Sequence, residues 1–166
     1  MIERYLNIAK EIIDLSLKQG AEQVSVSLAN ATSFQLEVRN QNIEALKEAG
    51  SSGIHVTLAN NQKRSTLSSN DFRLETLEPL IRSTLEALPL MGEDPFYTLP
   101  DPKLQGKAEI DLQFRDPNFE KMASTDKINE LMLLETEALS IVPLLLTEEI
   151  SFSDSISYMF HGDSNG

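Results

Sequence analysis

The spacing of apolar residues changes along this chain, and that change limits the folds that it can adopt. In residues 24–28 apolar and polar side chains alternate, which is typical of a strand with one buried face. In residues 2–17 the apolar positions recur every three or four residues, as on one side of a helix. Helical stretches and single strands do not alternate regularly, so the sequence predicts the α+β class: a two-layer domain whose largely antiparallel sheet packs against about three helices.

Three stretches have the helical spacing. The first covers residues 2–17 and stops at Gly20, because glycine often follows the last residue of a helix. The second covers residues 74–88, where Pro79 lacks a backbone donor and predicts either a late start of the helix or a kink. The third covers residues 124–141, "STDKINELMLLETEALSI", in which a serine or threonine can cap the first turn.

The alternating stretches predict several short strands bounded by small or polar residues. They lie at residues 24–28, 34–38, 43–47, 54–58 and 64–69, with two more at 150–152 and 156–160. The breaks predicted inside this series are polar stretches at residues 29–33, 49–53 and 153–155. Between the second and third helices the chain is rich in proline, and we expect an ordered connector there with aromatic anchors at Phe96, Tyr97 and Phe114.

The composition excludes several classes of protein. The chain has 166 residues and 40% hydrophobic content, enough for one domain with a core and too little for two ordinary ones. It has no cysteine, which excludes disulfides and thiolate metal sites. Its formal charge of −12, without a cluster of basic and aromatic residues, argues against direct nucleic-acid binding. Charged residues interrupt the first helix, which therefore is neither a signal peptide nor a membrane span, and we expect a cytoplasmic protein.

The sequence predicts no catalytic, cofactor-binding or metal-binding residue. His55 lies between Ile54 and Val56 and faces away from their side of the strand, so we interpret it as solvent-facing. His161 and Asp163 supply two potential metal ligands on a turn, which is too few for a site.

Acid–base pairs and nucleophiles are equally hard to find. A pair of carboxylates can act together only if folding brings both to one cleft, and the sequence does not show this. The carboxylates considered are Glu148, Glu149, Asp94, Asp101 and Asp111. The chain has no nucleophile elbow, phosphate-binding loop or dinucleotide fingerprint. "NAT" at residues 30–32 matches a glycosylation acceptor, but a turn is the simpler interpretation.

The order of several short motifs resembles the opening of the TldD/PmbA family, also called peptidase U62 or the "modulator of DNA gyrase" family. The matching positions are Gly20, Ala21, Glu22, Arg39, Asn40, Ile43, Glu44, Leu46, Gly53, Ile54 and Val56. "STLSSNDF", "DPFYTLPDP", "IDLQFRDP" and the terminal "SNG" continue the resemblance over essentially the whole chain, and the connector is more similar to the PmbA (TldE) branch. Departures include Thr57, where many members carry arginine, and Asn61 and Arg64, which replace glycines of a turn.

This resemblance implies a part of a larger protein. Members of the family are well over twice this length and have a β-rich C-terminal domain, in which TldD carries a zinc motif. Residues 1–166 would then form a single N-terminal α/β domain, with the C-terminal domain absent and Gly166 as a domain cut or truncation point.

The resemblance also implies a role. TldD and PmbA together form a zinc metallopeptidase that processes or degrades unfolded peptides. We expect this chain to contribute to assembly, with a TldD-like subunit or as a homodimer, and to peptide access. It would hold no cofactor, because the zinc belongs to the TldD-like partner, and it would be inactive alone. The alternative is a stand-alone, non-catalytic interaction module that binds a TldD-like or other protein.

Overall fold

The computed structural model describes residues 2–106, 109–142 and 149–165. Its helices are α1 (Ile2–Lys18), α2 (Leu74–Ala87) and α3 (Ser124–Ile141). Its strands are β1 (Gln23–Arg39), β2 (Asn42–Asn60), β3 (Lys63–Ser69) and β4 (Ile150–Asp163). Single 3-10 turns lie at Leu88–Leu90, Pro102–Leu104 and Phe119–Lys121.

In the described part of the chain the strands form an open, four-stranded antiparallel sheet in the order β3-β2-β1-β4. β2 and β3 pair in register from Ile54 opposite Ser69 to Asn60 opposite Lys63. The predicted α+β class, with a largely antiparallel sheet and three helices, is therefore confirmed.

The strands are longer than the sequence predicted. β1 continues through residues 29–33, β2 through 49–53 and β4 through 153–155, so the predicted breaks at these places are wrong. The breaks were predicted because these stretches contain glycine, serine and asparagine, which are depleted in strands. Small polar side chains nevertheless fit an extended backbone, and pairing with a neighbouring strand outweighs a weak local preference.

Two tight turns connect the first three strands. Asn40 and Gln41 have φ angles of 51° and 56°, and Asn61 and Gln62 have φ angles of 50° and 62°. Two successive residues with positive φ form a type I′ turn, whose twist matches that of an antiparallel hairpin. The first of these turns joins β1 to β2, and the second joins β2 to β3.

The helices agree closely with their predicted ranges. α1 and α3 match the stretches with helical spacing, and α3 matches its stretch at both ends. α2 begins at Leu74 and contains Pro79 in its interior, so the predicted late start is wrong. The reason is local: the carboxylate of Asp71, discussed below, accepts hydrogen bonds from Arg73 and Thr76 at the start of the helix, about one and a half turns before the proline.

The described part of the connector is less anchored than expected. The side chains of Phe96 and Phe114 are exposed, so their predicted role as anchors is wrong. Tyr97 does make a contact, because its ring lies 4.8 Å from the guanidinium carbon of Arg64. The aromatic residues of this proline-rich stretch led to the expectation of buried side chains, but Phe96 and Phe114 remain in solvent.

The chain divides into two compact units, each with its own core. Unit one comprises Met1–Asn30, Ser51–Lys107 and Tyr158–Gly166. Its core brings apolar side chains of α1 and α2 together with alternate residues of three strands. They include Ala9, Ile12, Val24, Val26, Leu28, Ile54, Val56, Leu58, Leu67, Leu77 and Ile81. This alternation fixes the register, because a slip by one residue would move a strand's buried set to the other face.

Unit two comprises Ala31–Gly50 and Ala108–Ser157. Its core is smaller and consists of Phe34, Leu36 and Val38 of β1 with Leu131 of α3. The rings of Phe34 and Phe152 meet edge to face, with centroids 6.2 Å apart. Buried and exposed residues of β1 alternate here as they do in unit one, but the buried side chains pack against α3.

Across the described residues, the helices are too short or too polar to cross a bilayer.

Candidate functional site

An exposed strand edge is the first feature of unit two that could bind a partner. The register between β2 and β3 covers only Ile54–Asn60 of β2, so residues 42–50 lie beyond it. Within the described residues, β1 is the strand beside this segment and its other side has no strand partner. Every residue from 42 to 50 is exposed. We call residues 42–50 the open edge.

The turn at residues 40–41 determines which backbone groups of the open edge face outward. In a two-residue turn the flanking residues, Arg39 and Asn42, form the hydrogen-bonded closing pair. Hydrogen bonding then alternates along β2, so Ile43, Ala45 and Lys47 direct their N–H and C=O groups away from β1. Such groups are the template on which an extended peptide can add as a strand.

A cavity of about 360 Å³ in unit two includes part of the open edge in its wall. Its lining residues are Thr32, Ser33, Phe34, Glu48, Ala49, Gly50, Phe119, Ser124, Lys127 and Asp154. Ser124 at the start of α3 donates a hydrogen bond of 2.8 Å to the carboxylate of Glu48 on β2. The wall therefore combines hydroxyl groups, carboxylates and aromatic rings, the mixture that can seat one side chain of a bound peptide.

Lys127 is one of the residues that line this cavity. Its ammonium nitrogen is 2.6 Å from a carboxylate oxygen of Asp154, and both side chains are largely buried. The same nitrogen lies 4.5 Å from the ring centroid of Phe34, 5.6 Å from that of Phe119 and 5.9 Å from that of Phe152. The ion pair and the ring faces together offset the cost of burying the charge. They also hold α3 and β4 in place around the cavity.

The outer side of α3 is unusually apolar. Leu133, Leu134 and Ile141 expose 57%, 55% and 79% of their surface, although Leu131 of the same helix is buried. A helix that is apolar on several sides is typical of one that is covered on more than one side. Neighbouring exposed apolar residues mark interaction surfaces more often than isolated ones do.

The histidines considered in the sequence lie on the sheet in unit one. His55 is exposed, as predicted, and shares a hydrogen bond of 2.8 Å with Ser68. His161 shares one of 2.9 Å with Ser27, whereas Asp163 is buried and accepts from the backbone N–H of Asn165. His161 and Asp163 therefore have different hydrogen-bond partners. In the described residues no carboxylate hydrogen-bonds either imidazole, so neither serine–histidine pair has the acid of a hydrolase triad.

The carboxylates considered in the sequence serve local structure. Asp94 pairs with Arg64 at 3.1 Å, while Asp101 and Asp111 each accept a hydrogen bond from a backbone N–H two residues later. Glu149 is exposed, and Glu148 lies outside the described residues. No cleft gathers Asp94, Asp101, Asp111 or Glu149 into a pair in the part of the chain that the structure describes. Nor do three or more histidine, aspartate or glutamate side chains come together there in a way that could hold a metal ion.

The "NAT" stretch is also placed differently from the prediction. Asn30 to Thr32 lie inside β1, so the interpretation of this stretch as a turn is wrong. The features that sequence reasoning missed are the open edge, the cavity and Lys127. The polar run around Gly50 predicted a break rather than a continuous strand edge, and nothing in the sequence links Lys127 to Asp154.

Solved structures share this fold. A proposed modulator of DNA gyrase from Bacteroides thetaiotaomicron matches with a TM-score of 0.84 at 24% identity, over 100% of this chain and 38% of its own. Another from Thermotoga maritima matches with a TM-score of 0.77 at 15% identity, over 98% and 36%. TldE from Thermococcus kodakarensis matches with a TM-score of 0.77 at 15% identity, over 96% and 35%.

These matches confirm, at the level of the fold, the resemblance seen in the sequence. The chain spans between 35% and 38% of the length of the three structures. No protein-family model and no curated protein matches the sequence.

Proposed function

We propose that this chain is the N-terminal domain of a PmbA (TldE)-like subunit of a cytoplasmic zinc metallopeptidase complex that processes or degrades unfolded peptides. The observation that carries the proposal is the fold shared with TldE and two proposed gyrase modulators over nearly the whole chain. The order of the sequence motifs supports the same family independently.

Within such a complex, the chain contributes peptide access. The open edge offers outward backbone groups at Ile43, Ala45 and Lys47, and an unfolded peptide has complementary groups that nothing else satisfies. The adjacent cavity can receive a side chain of that peptide. A folded protein would present neither an extended backbone nor freely placed side chains, so this mode of binding selects unfolded substrates.

The chain also contributes to assembly. The exposed apolar residues of α3 provide a surface for a TldD-like subunit or for a second copy of this chain. The chain itself adds no chemistry, because hydrolysis belongs to the zinc of the TldD-like partner. Its net charge of −12 repels phosphate backbones, so the gyrase name of the relatives does not imply contact with DNA.

The proposal is tested with the full-length protein and a TldD-like partner from the same genome. The mixture should cleave an unfolded peptide, a zinc chelator should abolish the cleavage, and each protein alone should be much less active. Chelator-insensitive cleavage, or none with both proteins present, would contradict the peptidase assignment.

Replacing Ala45 by proline tests the open edge. Proline removes an outward N–H while leaving the hydrogen bonds to β1 intact, so A45P should fold and yet lose peptide binding. We expect the KM for peptide cleavage by the complex to rise about tenfold, which corresponds to the loss of about 1.4 kcal/mol of binding. The measurement is the steady-state rate as a function of peptide concentration.

The matched control is A45S, which changes the same exposed side chain and keeps its N–H. It should leave the KM unchanged. If A45P folds normally and its KM equals that of the parent, peptides do not add to this edge.

A further inference from the structure

A cavity of about 570 Å³ lies in unit one, where α1, two strands and the residues before α2 meet. It is lined by Arg4, Tyr5 and Ile8 of α1, Asn30 of β1, Ser52 of β2 and residues 70–73. We call it the α1 cavity. Its volume is within the range of pockets that bind small molecules.

The strand pattern explains why the α1 cavity is not filled. Asn30 follows the buried Leu28 by two residues on β1, and Ser52 precedes the buried Ile54 by two residues on β2. Residues two apart on a strand share a face, so both polar residues lie on the face that packs against the helices. Two small polar side chains therefore stand where continued alternation would place core residues, and the core ends beside them.

The aromatic part of the wall joins α1 to the residues before α2. The rings of Tyr5 and Phe72 meet edge to face, with centroids 6.4 Å apart, and both pack against the core together with Ile8. Arg4 precedes Ile8 by one turn, so the two side chains are on the same side of α1. The wall thus places a guanidinium group beside apolar surface.

Asn70 borders the cavity from the end of β3. The strand register pairs Ile54 with Ser69, which brings Asn70 next to Gly53. The Oδ1 atom of Asn70 lies 3.9 Å from the position of the Cβ atom that Gly53 lacks. The amide of Asn70 is therefore close to the strand residue that follows Ser52.

Four polar side chains of this wall are unused. Among the described residues, no side-chain hydrogen bond or ion pair is made by Arg4, Asn30, Ser52 or Asn70. They supply one guanidinium, two amides and one hydroxyl, so donors outnumber acceptors. Such a wall suits a ligand that only accepts hydrogen bonds.

The charges of the wall favour a ligand with one negative charge. The guanidinium of Arg73 hydrogen-bonds the carboxylate of Asp71, so these two charges offset one another. Arg4 then leaves one positive charge, in a chain whose net charge is −12. A carboxylate would neutralise it, whereas a phosphate dianion would add a negative charge without a counterpart.

We propose that the α1 cavity binds a carboxylate carried on an apolar group. The guanidinium of Arg4 pairs with the carboxylate, for which its planar donors are suited, and Ser52 and Asn70 add neutral donors. The rings of Tyr5 and Phe72 contact the apolar group. The C-terminus of a peptide and a free carboxylic acid share this chemistry. The proposal concerns unit one only and is independent of the proposed peptidase role.

The test is isothermal titration calorimetry of the protein with N-acetylphenylalanine. We expect one molecule bound per chain. R4Q should weaken binding at least about tenfold, because a hydrogen-bonded charge pair is lost, and N30A should weaken it by a smaller factor. K10Q is the matched control: it removes one positive charge from an exposed position of α1 that does not line the cavity, and it should leave the affinity unchanged.

Two further ligands define the chemistry and the source of the carboxylate. N-acetylphenylalanine amide has the same apolar group without the charge, and it should bind at least about tenfold more weakly. Acetyl-alanyl-alanyl-phenylalanine has the same terminal carboxylate on a peptide. Tighter binding of this peptide would identify a peptide C-terminus as the ligand, and weaker or equal binding would identify a free acid.

Three outcomes would overturn the proposal: no binding of either carboxylate, equal affinities of R4Q and the parent, or tighter binding of inorganic phosphate than of N-acetylphenylalanine. Arg4 is exposed, so R4Q should keep the circular dichroism spectrum and the urea midpoint of the parent. NMR provides a second readout, in which N-acetylphenylalanine should shift the side-chain amide resonances of Asn30 and Asn70.

Discussion

At the scale of single residues, Glu135 has the most demanding position in unit two. It is fully buried on α3, and its carboxylate accepts hydrogen bonds from the backbone N–H groups of Asn40 and Gln41 at 2.8 and 2.7 Å. The side-chain amide of Gln41 adds a third bond at 2.9 Å. These donors belong to the type I′ turn, so one buried carboxylate fixes the hairpin on which the open edge depends. The helical spacing places Glu135 on the same face as Leu131, four residues earlier, but only the structure shows which groups its carboxylate contacts.

Replacing Glu135 by glutamine should destabilise the protein. The amide keeps one acceptor oxygen and places an NH₂ group against a backbone donor, so one of the two backbone N–H groups loses its charged acceptor. We expect a loss of about 2 kcal/mol in the free energy of unfolding, the usual contribution of a hydrogen bond to a charged group. The measurement is urea denaturation, with hydrogen exchange at Asn40 and Gln41 to localise the change. E137Q, on the exposed side of α3, is the matched control; equal midpoints for E135Q and the parent would refute this role.

At the scale of elements, the start of α2 shows how a local interaction outweighs a proline. Asp71 accepts hydrogen bonds from the backbone N–H of Arg73 at 3.0 Å and from the hydroxyl of Thr76 at 2.9 Å. The guanidinium of Arg73 also hydrogen-bonds this carboxylate. That side-chain bond is the main reason why the pKa of Asp71 lies well below its ordinary value. The helix therefore begins at Leu74 rather than at Pro79.

The lowered pKa of Asp71 predicts a dependence on pH. A carboxyl whose pKa is lower in the folded state stabilises the protein above its ordinary pKa, and this contribution is lost as the pH falls toward the folded value. D71N should therefore be less stable than the parent at pH 7, and the difference should shrink below about pH 4. Urea midpoints measured across that range provide the check. A difference for D71N that stays constant across that range would contradict the prediction.

At the scale of the whole molecule, the net charge and the exposed apolar side chains have opposite effects on association with other proteins. A net charge of −12 favours solubility and disfavours association with other acidic surfaces. The exposed leucine and isoleucine side chains of α3 do the opposite, because burying them against another protein removes apolar surface from water. An apolar patch within an acidic surface is therefore the place where we expect a specific partner to bind.

Removing that patch should weaken assembly. In the full-length protein, the double variant L133S/I141S should bind the TldD-like subunit at least tenfold more weakly, because fully burying a leucine or isoleucine side chain contributes roughly 1.5–3 kcal/mol. Isothermal titration calorimetry measures the affinity directly. L90S alters a leucine of unit one that is 85% exposed and should leave the affinity unchanged. Unchanged binding by L133S/I141S would place the interface elsewhere.

The sequence determined much of this protein by itself. Periodicity gave the ranges of α1 and α3 and the α+β class, because burial of one face imposes a spacing that local sequence must follow. Asn40 and Asn61 mark the turns for a similar reason, since asparagine is one of the few residues that tolerate positive φ. The resemblance to the TldD/PmbA family was carried by ordered motifs, and the fold confirmed it.

Only the tertiary structure decided the strand lengths and the candidate sites. Whether a polar stretch such as residues 29–33 breaks a strand depends on the hydrogen bonds that a neighbouring strand offers, and these come from distant sequence. The pairs Glu135 with Asn40, Lys127 with Asp154, and His161 with Ser27 join residues far apart along the chain. A single sequence carries no periodic signal for such contacts, because they arise only when strand order and helix placement bring the side chains together.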